Sequence, residues 1–288
     1  MINELLNQAV GPVIAIFLIT AMFSLGLDLT LGQIALALRN RRLVAKGTLI
    51  NFVVVPLLAI GITRLIPMDN ALRMGIVLYA LSAGTEGGPK FVQMVKGNTA
   101  FAFGLLVIML VFTVSLVPVI LAWVMPGAHI PIGSLALKLV LVVALPIGFG
   151  LYLKARYEKL ADRLNPIFHR LSMVLLWALF VLLVYVNLDA IATLPTNALL
   201  AGLLLFVLAF AAGYIGGGPD ADNRRALAIM SFARNGSISM MIARVVFTDD
   251  PQVLVMTTVM AATSVVLAVL AVLCLRPMVA TVEIELKK

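Results

Sequence analysis

The sequence is poor in the side chains on which enzymes and redox proteins depend. Its 288 residues include one cysteine, Cys274, and two histidines. A single cysteine excludes disulfides, thiolate metal sites and redox pairs within the chain. His129 and His169 have no acidic partners at ligand spacing, so we expect neither a metal site nor a catalytic base.

The sequence also lacks catalytic and nucleotide-binding motifs. It has no phosphate-binding Gly-Lys-Ser/Thr loop, no His-Glu-x-x-His pattern and no serine nucleophile with a plausible histidine and aspartate. The glycine-rich turn at residues 216–219 has nothing beside it that could hold a nucleotide. We therefore expect no enzymatic activity and no cofactor.

Charge is scarce and apolar residues are abundant. Charged residues make up 12% of the chain and hydrophobic residues 62%, and the mean hydropathy is +1.12. Such values lie outside the globular range, and a helix needs about 20 mostly apolar residues to cross a bilayer. The sequence therefore predicts an all-α, polytopic membrane protein. We predict nine transmembrane helices, at residues 8–27, 43–65, 70–95, 99–123, 132–154, 168–188, 196–216, 223–247 and 252–275.

No hydrophilic stretch between these spans is long enough to fold by itself. We therefore predict one membrane transporter domain over residues 1–288. Residues 1–4 lack the basic region of a secretory signal, so we interpret the first apolar run as a true span.

Lysine and arginine are distributed unequally over the two ends of the predicted spans. Cytoplasmic loops retain basic residues, whereas translocated loops lose them. One face has only Arg64, Arg73, Lys138 and Arg244, and the other has Arg39, Arg41, Arg42, Lys46, Lys96, Lys154, Arg156, Lys159, Arg163, Arg170, Arg224, Arg225, Arg276, Lys287 and Lys288. We therefore predict a cell (inner) membrane protein with its N-terminus outside and its C-terminus in the cytoplasm. The positive loops would face anionic lipid, so we expect membrane lipids and no nucleic acid as partners.

Two polar interruptions, at residues 84–90 and 231–237, lie within the third and eighth spans. Charges and helix breakers are costly at bilayer depth and are tolerated where the backbone lines a cavity or packs in protein. We expect helix breaks at Gly84, Gly87, Gly88, Pro89 and Gly236. The candidate binding or coupling side chains are Thr85, Glu86, Lys90, Ser231, Arg234, Asn235 and Ser237, with Asn51 on the second span.

The third predicted span begins outside and the eighth begins inside, five spans later. Broken helices paired in halves of opposite orientation indicate a secondary transporter built from inverted repeats. The C-terminal repeat would cover residues 130–276. The N-terminal repeat would cover residues 1–125 and lack its first helix.

Several stretches resemble the bile acid:sodium symporter family over nearly the whole chain. Residues 22–30 resemble its Met-Phe-Gly-Met-Gly-Leu-x-Leu-Thr signature, and residues 51–59 its Gln-Phe-x-x-Met-Pro segment. Residues 84–98 and 225–237 occupy the places of its two broken-helix motifs. The resemblance implies a panel domain and a core domain whose two broken helices cross, sodium sites beside the crossing, and an organic anion in the cleft.

The departures from the family pattern concern its sodium-binding residues. The family's Ser-Asn pair becomes Gly88-Pro89, and its glutamine on the second span becomes Asn51. In the second broken helix, Met230 replaces a glutamate of the family and Arg234 replaces a glutamine. Ala102 and Leu106 replace a serine and a threonine on the span after the first break. Asn235 remains. Sodium needs oxygen ligands, so we infer that this protein does not use the family's sodium sites.

Lys90 and Arg234 are the basic residues at the predicted breaks. They would stand in for sodium by offsetting the carbonyl ends of the broken helices, with Glu86 as the counter-charge. Three interpretations stay open: a static structural network, a proton carried by Glu86, or an anionic substrate held by Lys90 or Arg234.

The sequence thus predicts a secondary active transporter of a small organic anion by alternating access, independent of sodium and coupled to protons if Glu86 titrates. The alternatives are a sodium-coupled, bile acid-like symporter, a uniporter or exchanger, and a channel-like protein. The sequence indicates neither the substrate nor the oligomeric state.

Overall fold

The computed structural model describes the backbone of residues 2–124 and 130–285. It describes the side chains in these ranges except at residues 2–5, 7, 36–38 and 276–285. His129, Lys287 and Lys288 and the side chain of Arg276, which entered the predictions above, therefore lie outside the described part.

The described backbone is helical and contains no strand, which confirms the predicted all-α class. We number the helices in chain order as α1 Ile2–Asp28, α2 Leu31–Leu38, α3 Arg41–Leu49, α4 Val55–Leu65, α5 Asn70–Leu81, α6 Gly88–Met94, α7 Thr99–Val124, α8 Ile132–Leu139, α9 Leu145–Arg156, α10 Glu158–Val186, α11 Leu188–Ala192, α12 Thr196–Gly216, α13 Ala221–Phe232, α14 Gly236–Val246 and α15 Pro251–Glu285.

Eight helical segments of the described chain are long and apolar enough to cross a membrane. They are Gln8–Asp28, Arg41–Leu65, Thr99–Val124, Ile132–Arg156, Glu158–Val186, Thr196–Gly216, Ala221–Val246 and Pro251–Leu275. The third predicted span, residues 70–95, consists instead of two short helices, α5 and α6. The polytopic membrane class is confirmed, whereas the count of nine stays a prediction.

Two long spans contain a five-residue π-helical turn just before a proline. One turn, Ile50–Val54, links α3 to α4, and the other, Val140–Ala144, links α8 to α9. Proline has no N–H and its ring would clash with the carbonyl of the preceding helical turn, so the wider π turn makes room for Pro56 and Pro146. Both spans continue through the proline as one helical segment.

The helices pack in two groups. Helices α1, α9 and α10 pack against one another. In the other group α12 packs on α13 and α4, α15 packs on α5 and α14, and α6 packs on α7 and α13. These groups correspond to the expected panel and core, although their division into domains stays a prediction.

The group that contains the breaks encloses them in protein. In the segment Ala221–Val246, 94% of the most apolar stretch is buried, whereas only 17% of that in Glu158–Val186 is. The interruption at residues 231–237 therefore lies against other helices. This explains how a charged residue is tolerated in a span.

Candidate functional site: two helix breaks joined by Asn235

The first break starts where α5 ends at Leu81. Gly84 follows with a φ of +89°, a conformation that glycine adopts without strain. A Cβ on Gly84 would lie 3.0 Å from Cβ of Met109 on α7, so the backbone approaches α7 closely. Thr113 Oγ1, also on α7, donates a hydrogen bond of 2.9 Å to the carbonyl of Ala83. These contacts hold the non-helical backbone in place.

The α6 helix resumes at Gly88, with Pro89 in its first turn. Proline is well tolerated there because the first N–H groups of a helix have no helical partner. Gly88 packs closely, since a Cβ there would lie 2.7 Å from Sδ of Met230 and 3.5 Å from Cγ2 of Thr85. The predicted breakers thus lie at the end of one half-helix and the start of the next.

The second break separates α13, which ends at Phe232, from α14, which begins at Gly236. Asn235 caps α14, because its Oδ1 accepts a hydrogen bond of 3.0 Å from the N–H of Ile238. A Cβ on Gly236 would lie 2.4 Å from Cβ of Ala261 on α15, so only glycine fits here. Ser237, in the first turn of α14, is buried at 6% exposure.

Asn235 joins the two breaks. Its N–H donates to the carbonyl of Ser82 at 2.8 Å. Its Nδ2 donates to the carbonyl of Gly84 at 3.0 Å and to Oε2 of Glu86 at 3.3 Å. One buried residue therefore caps its own half-helix and satisfies polar groups of the other break.

The half-helices meet in an antiparallel arrangement around these bonds. Helix α5 packs on α14, and α6 packs on α13. The C-terminal ends of α5 and α13 and the N-terminal ends of α6 and α14 therefore all lie at the breaks. Partial negative and partial positive charge are both concentrated there.

Arg234 lies in the second break, and its side chain reaches the second span. Its side chain is buried, with 3% exposure, and Nη1 donates a hydrogen bond of 3.2 Å to the carbonyl of Asn51. Nε and Nη2 have no hydrogen-bond partner among the residues that the structure describes. Among the described residues no carboxylate forms an ion pair with it. A buried cation without an acidic partner is costly, and it points to a function.

Pro56 makes the Asn51 carbonyl available to Arg234. In the π turn the N–H of Val55 bonds to the carbonyl of Ile50. The corresponding donor to Asn51 would be the N–H of residue 56, which proline lacks. The guanidinium thus fills a position that the local sequence leaves without a backbone donor.

A small polar group surrounds Arg234 in the apolar interior. Asn51 Nδ2 donates to the carbonyl of Gly47 at 2.8 Å and contacts Ser231 Oγ at 3.5 Å, while Asn51 Oδ1 has no partner in the described part of the chain. Tyr79 is fully buried, and its hydroxyl interacts with Ser264 and Arg234. The sequence analysis missed Tyr79, because a tyrosine within an apolar run carries no separate signal.

Glu86 is half-buried and accepts the Asn235 bond described above. It forms no ion pair with Lys90 or Arg234 within the described chain. Lys90 is exposed, and its Nζ lies 3.4 Å and 3.2 Å from Nδ1 and Nε2 of His169 on α10. The structure therefore does not join Glu86, Lys90 and Arg234 into the expected triad, and Lys90 lies outside the crossing. The sequence gives no sign of this contact, because His169 and Lys90 are 79 positions apart.

Three of the positions that the resemblance assigns to sodium ligands carry apolar side chains here. Ala102 and Leu106 on α7 are fully buried, and Met230 is 1% exposed. The Met230 sulfur packs against Gly88. Side chains without oxygen thus fill the surroundings of the crossing at these positions.

Comparisons with known proteins identify the family. The family described as "Sodium Bile acid symporter family" matches residues 15–194. The chain is 23% identical to the "Probable sodium/metabolite cotransporter BASS1, chloroplastic" of Arabidopsis thaliana over 77% of this chain and 56% of that protein. It is 24% identical to the "Uncharacterized sodium-dependent transporter YocS" of Bacillus subtilis over 68% of this chain and 60% of that protein.

The human "P3 protein" is also similar, at 24% identity over 58% of this chain and 36% of that protein. The chain thus matches at most about three fifths of these relatives' own length. The two relatives with functional names are named as transport proteins and not as enzymes. The family match, over residues 15–194, covers more than half of the chain, and the chain belongs to the sodium bile acid symporter family.

Proposed function

We propose that this protein is a secondary transporter of a small organic anion that works by alternating access and does not use sodium. In this proposal the Arg234 guanidinium is a fixed cation where relatives bind a mobile one. The observation that carries the proposal is the burial of Arg234 at the crossing, bonded to the Asn51 carbonyl and without an acidic partner among the described residues.

The half-helix ends favour a cation at this place. Arg234 follows the C-terminus of α13 by two residues, and Asn235, next to it, bonds to Ser82 at the end of α5. Carbonyl groups at helix C-termini stabilise positive charge. Glu86 lies just before the first turn of α6, where negative charge is favoured. The charges of the crossing are therefore compensated by the chain itself.

The surrounding side chains disfavour sodium. A sodium site needs several oxygen ligands, and three of the corresponding positions are taken by Met230, Ala102 and Leu106, whose side chains carry no oxygen. The positive guanidinium would also repel a second cation nearby. Lys90 is exposed and lies outside the crossing, so the repulsion does not depend on it.

Protons are the proposed coupling ion, with Glu86 as the carrier. Its carboxylate is half-buried, lacks an ion pair among the described residues and accepts a bond from the Asn235 amide. Either protonation state can accept that bond, because a protonated carboxyl keeps its carbonyl oxygen. The carboxyl can therefore gain or lose a proton without breaking the contact between the two breaks. A static role and direct substrate binding by Arg234 remain the competing interpretations.

A second candidate is sodium-coupled transport of an organic anion or metabolite. It is favoured by the family match and by the names of two relatives, which specify sodium. The two candidates agree on the class of cargo and differ in the driving ion. Both assume the orientation that the basic residues predict, with the C-terminus in the cytoplasm.

The test has two steps. Purified protein is first screened by thermal shift against organic anions, supplied as potassium salts at two pH values. The anion with the largest shift is then used in proteoliposome uptake under an imposed sodium gradient, an imposed pH gradient or neither. We expect uptake to follow the pH gradient and to ignore sodium. A several-fold rise with the sodium gradient would establish the second candidate instead.

A further inference from the structure

The contact between Lys90 and His169 joins the broken helix α6 to α10. An ammonium group has three donors and no acceptor, so the imidazole must accept the hydrogen bond. Both ring nitrogens lie within 3.4 Å of Nζ. In the neutral imidazole, the nitrogen that carries no proton therefore lies within 3.4 Å of the ammonium in either tautomer. Lys90 forms no ion pair with any acidic residue in the described chain.

His169 belongs to a part of α10 that is fixed to α1. One turn earlier, Asn165 accepts a hydrogen bond of 2.9 Å from Ser24 Oγ and donates one of 3.3 Å to Asp28 Oδ1. The ring of Phe23 also packs edge-on against Phe168, with 4.7 Å between ring centroids. The Lys90–His169 contact thus links the group of helices that holds the breaks to the group formed by α1, α9 and α10.

We propose that His169 is a proton-binding residue of the transport cycle. While its imidazole is neutral, it accepts from Lys90 and holds α6 against α10. When the imidazole is protonated it has no acceptor left, and its positive charge repels the ammonium. The contact then breaks and the two groups of helices are free to separate. This inference rests on the proposed alternating access and adds a second titrating group to it.

Charged groups near His169 favour or oppose protonation of its imidazole. Burial of the imidazole and the charge of Lys90 on α6 both oppose its protonation, while Asp28 on α1 favours it. Glu86 interacts with Lys90 and so weakens that opposition. Lys154 on α9 forms an ion pair with Asp162 on α10, with 2.6 Å between Nζ and Oδ1. His169 thus has one acidic and one basic neighbour, on two different helices.

The experiment measures the α6–α10 distance directly and needs no substrate. Cysteines replace Gln93 on α6 and Met173 on α10, both exposed, in a Cys274→Ser background. The sites carry spin labels, and the distance distribution is recorded in lipid nanodiscs at pH 5 and pH 8. We expect one short-distance population at pH 8 and a shift toward longer distances at pH 5.

His169→Gln supplies an amide oxygen that accepts at every pH, so its distribution should stay at the pH 8 form throughout. Lys90→Gln should likewise lose the pH response, because a glutamine oxygen accepts from the protonated ring. His129→Gln, which removes the other histidine, should keep it. If His169→Gln does not fold, His169→Asn and Lys90→Gln carry the same test.

An identical distribution at the two pH values in the parent protein would overturn the inference. So would a pH response that survives in His169→Gln. Failure of organic-anion uptake would count against the proposed function alone, since the distance measurement is made without any anion. The two proposals can therefore fail separately.

Discussion

At the scale of single residues, the site consists of polar groups whose partners come from the backbone. Arg234 bonds to the Asn51 carbonyl that Pro56 leaves free, and Asn235 bonds to two carbonyls of the other break. Glu86 depends on the Asn235 amide. These side chains therefore bond where neighbouring residues interrupt the regular helical hydrogen bonds of the backbone.

Replacing Glu86 by glutamine tests the proton-carrier interpretation. The amide keeps the shape and the acceptor for Asn235 but cannot titrate. We expect uptake driven by a pH gradient to disappear, while exchange of internal for external anion persists. Proteoliposomes loaded with and without the anion measure both. Retained pH-driven uptake would reject Glu86 as carrier, and loss of folding would favour the static network.

Replacing Asn235 by alanine should destabilise the protein strongly. The change removes the cap of α14 and leaves the carbonyl of Gly84 without its donor. A lost cap costs about 1 kcal/mol and an unsatisfied buried group about 1–3 kcal/mol. Ser239→Ala is the control, because Ser239 Oγ donates only within α14, to the carbonyl of Gly236. Melting temperatures in detergent should fall far more for the first variant; equal losses would contradict the account.

At the scale of helices, hydropathy predicts the bounds of a span well where the span is apolar over its whole length. The predicted spans 99–123 and 196–216 correspond to α7, Thr99–Val124, and α12, Thr196–Gly216. The sixth prediction, 168–188, misses the start of α10 at Glu158, because that first part is polar and extends beyond the apolar run. The third span differs because its polar break divides it into short halves.

Replacing Gly84 by alanine should destabilise the protein. Alanine there would be strained by the positive φ and would place a Cβ 3.0 Å from that of Met109. We expect a loss of at least about 1 kcal/mol. Gly133→Ala is the matched control: it lies in α8 with open space around its Cα, so alanine should stabilise by up to about 1 kcal/mol. Thermal unfolding of both variants gives the comparison, and equal shifts would argue against a strained break.

At the scale of the molecule, the sequence predicts where the spans are broken better than where each side chain points. Both breaks and Asn235 were found because polar residues are rare in apolar spans. The position of Lys90 against His169, and that of Tyr79 beside Arg234, depend on how α6, α10 and α5 are rotated. Rotation within a bundle follows from packing between distant segments, which one sequence does not reveal.

The whole-molecule account is that a chain-borne cation, in place of sodium, balances the helix ends at the crossing. A ligand that binds only the folded state at 100 times its dissociation constant stabilises it by about 2.7 kcal/mol. A protein that binds sodium at the crossing should therefore melt at a higher temperature in sodium than in potassium at equal ionic strength.

The most direct measurement is the melting temperature of the purified protein as sodium replaces potassium at constant ionic strength and pH. The account predicts no change across the titration. The Bacillus subtilis relative YocS, named as sodium-dependent, serves as a positive control and should gain stability. A saturable, sodium-specific rise in the melting temperature of this protein, lost when Asn51 or Asn235 is replaced, would contradict the central claim.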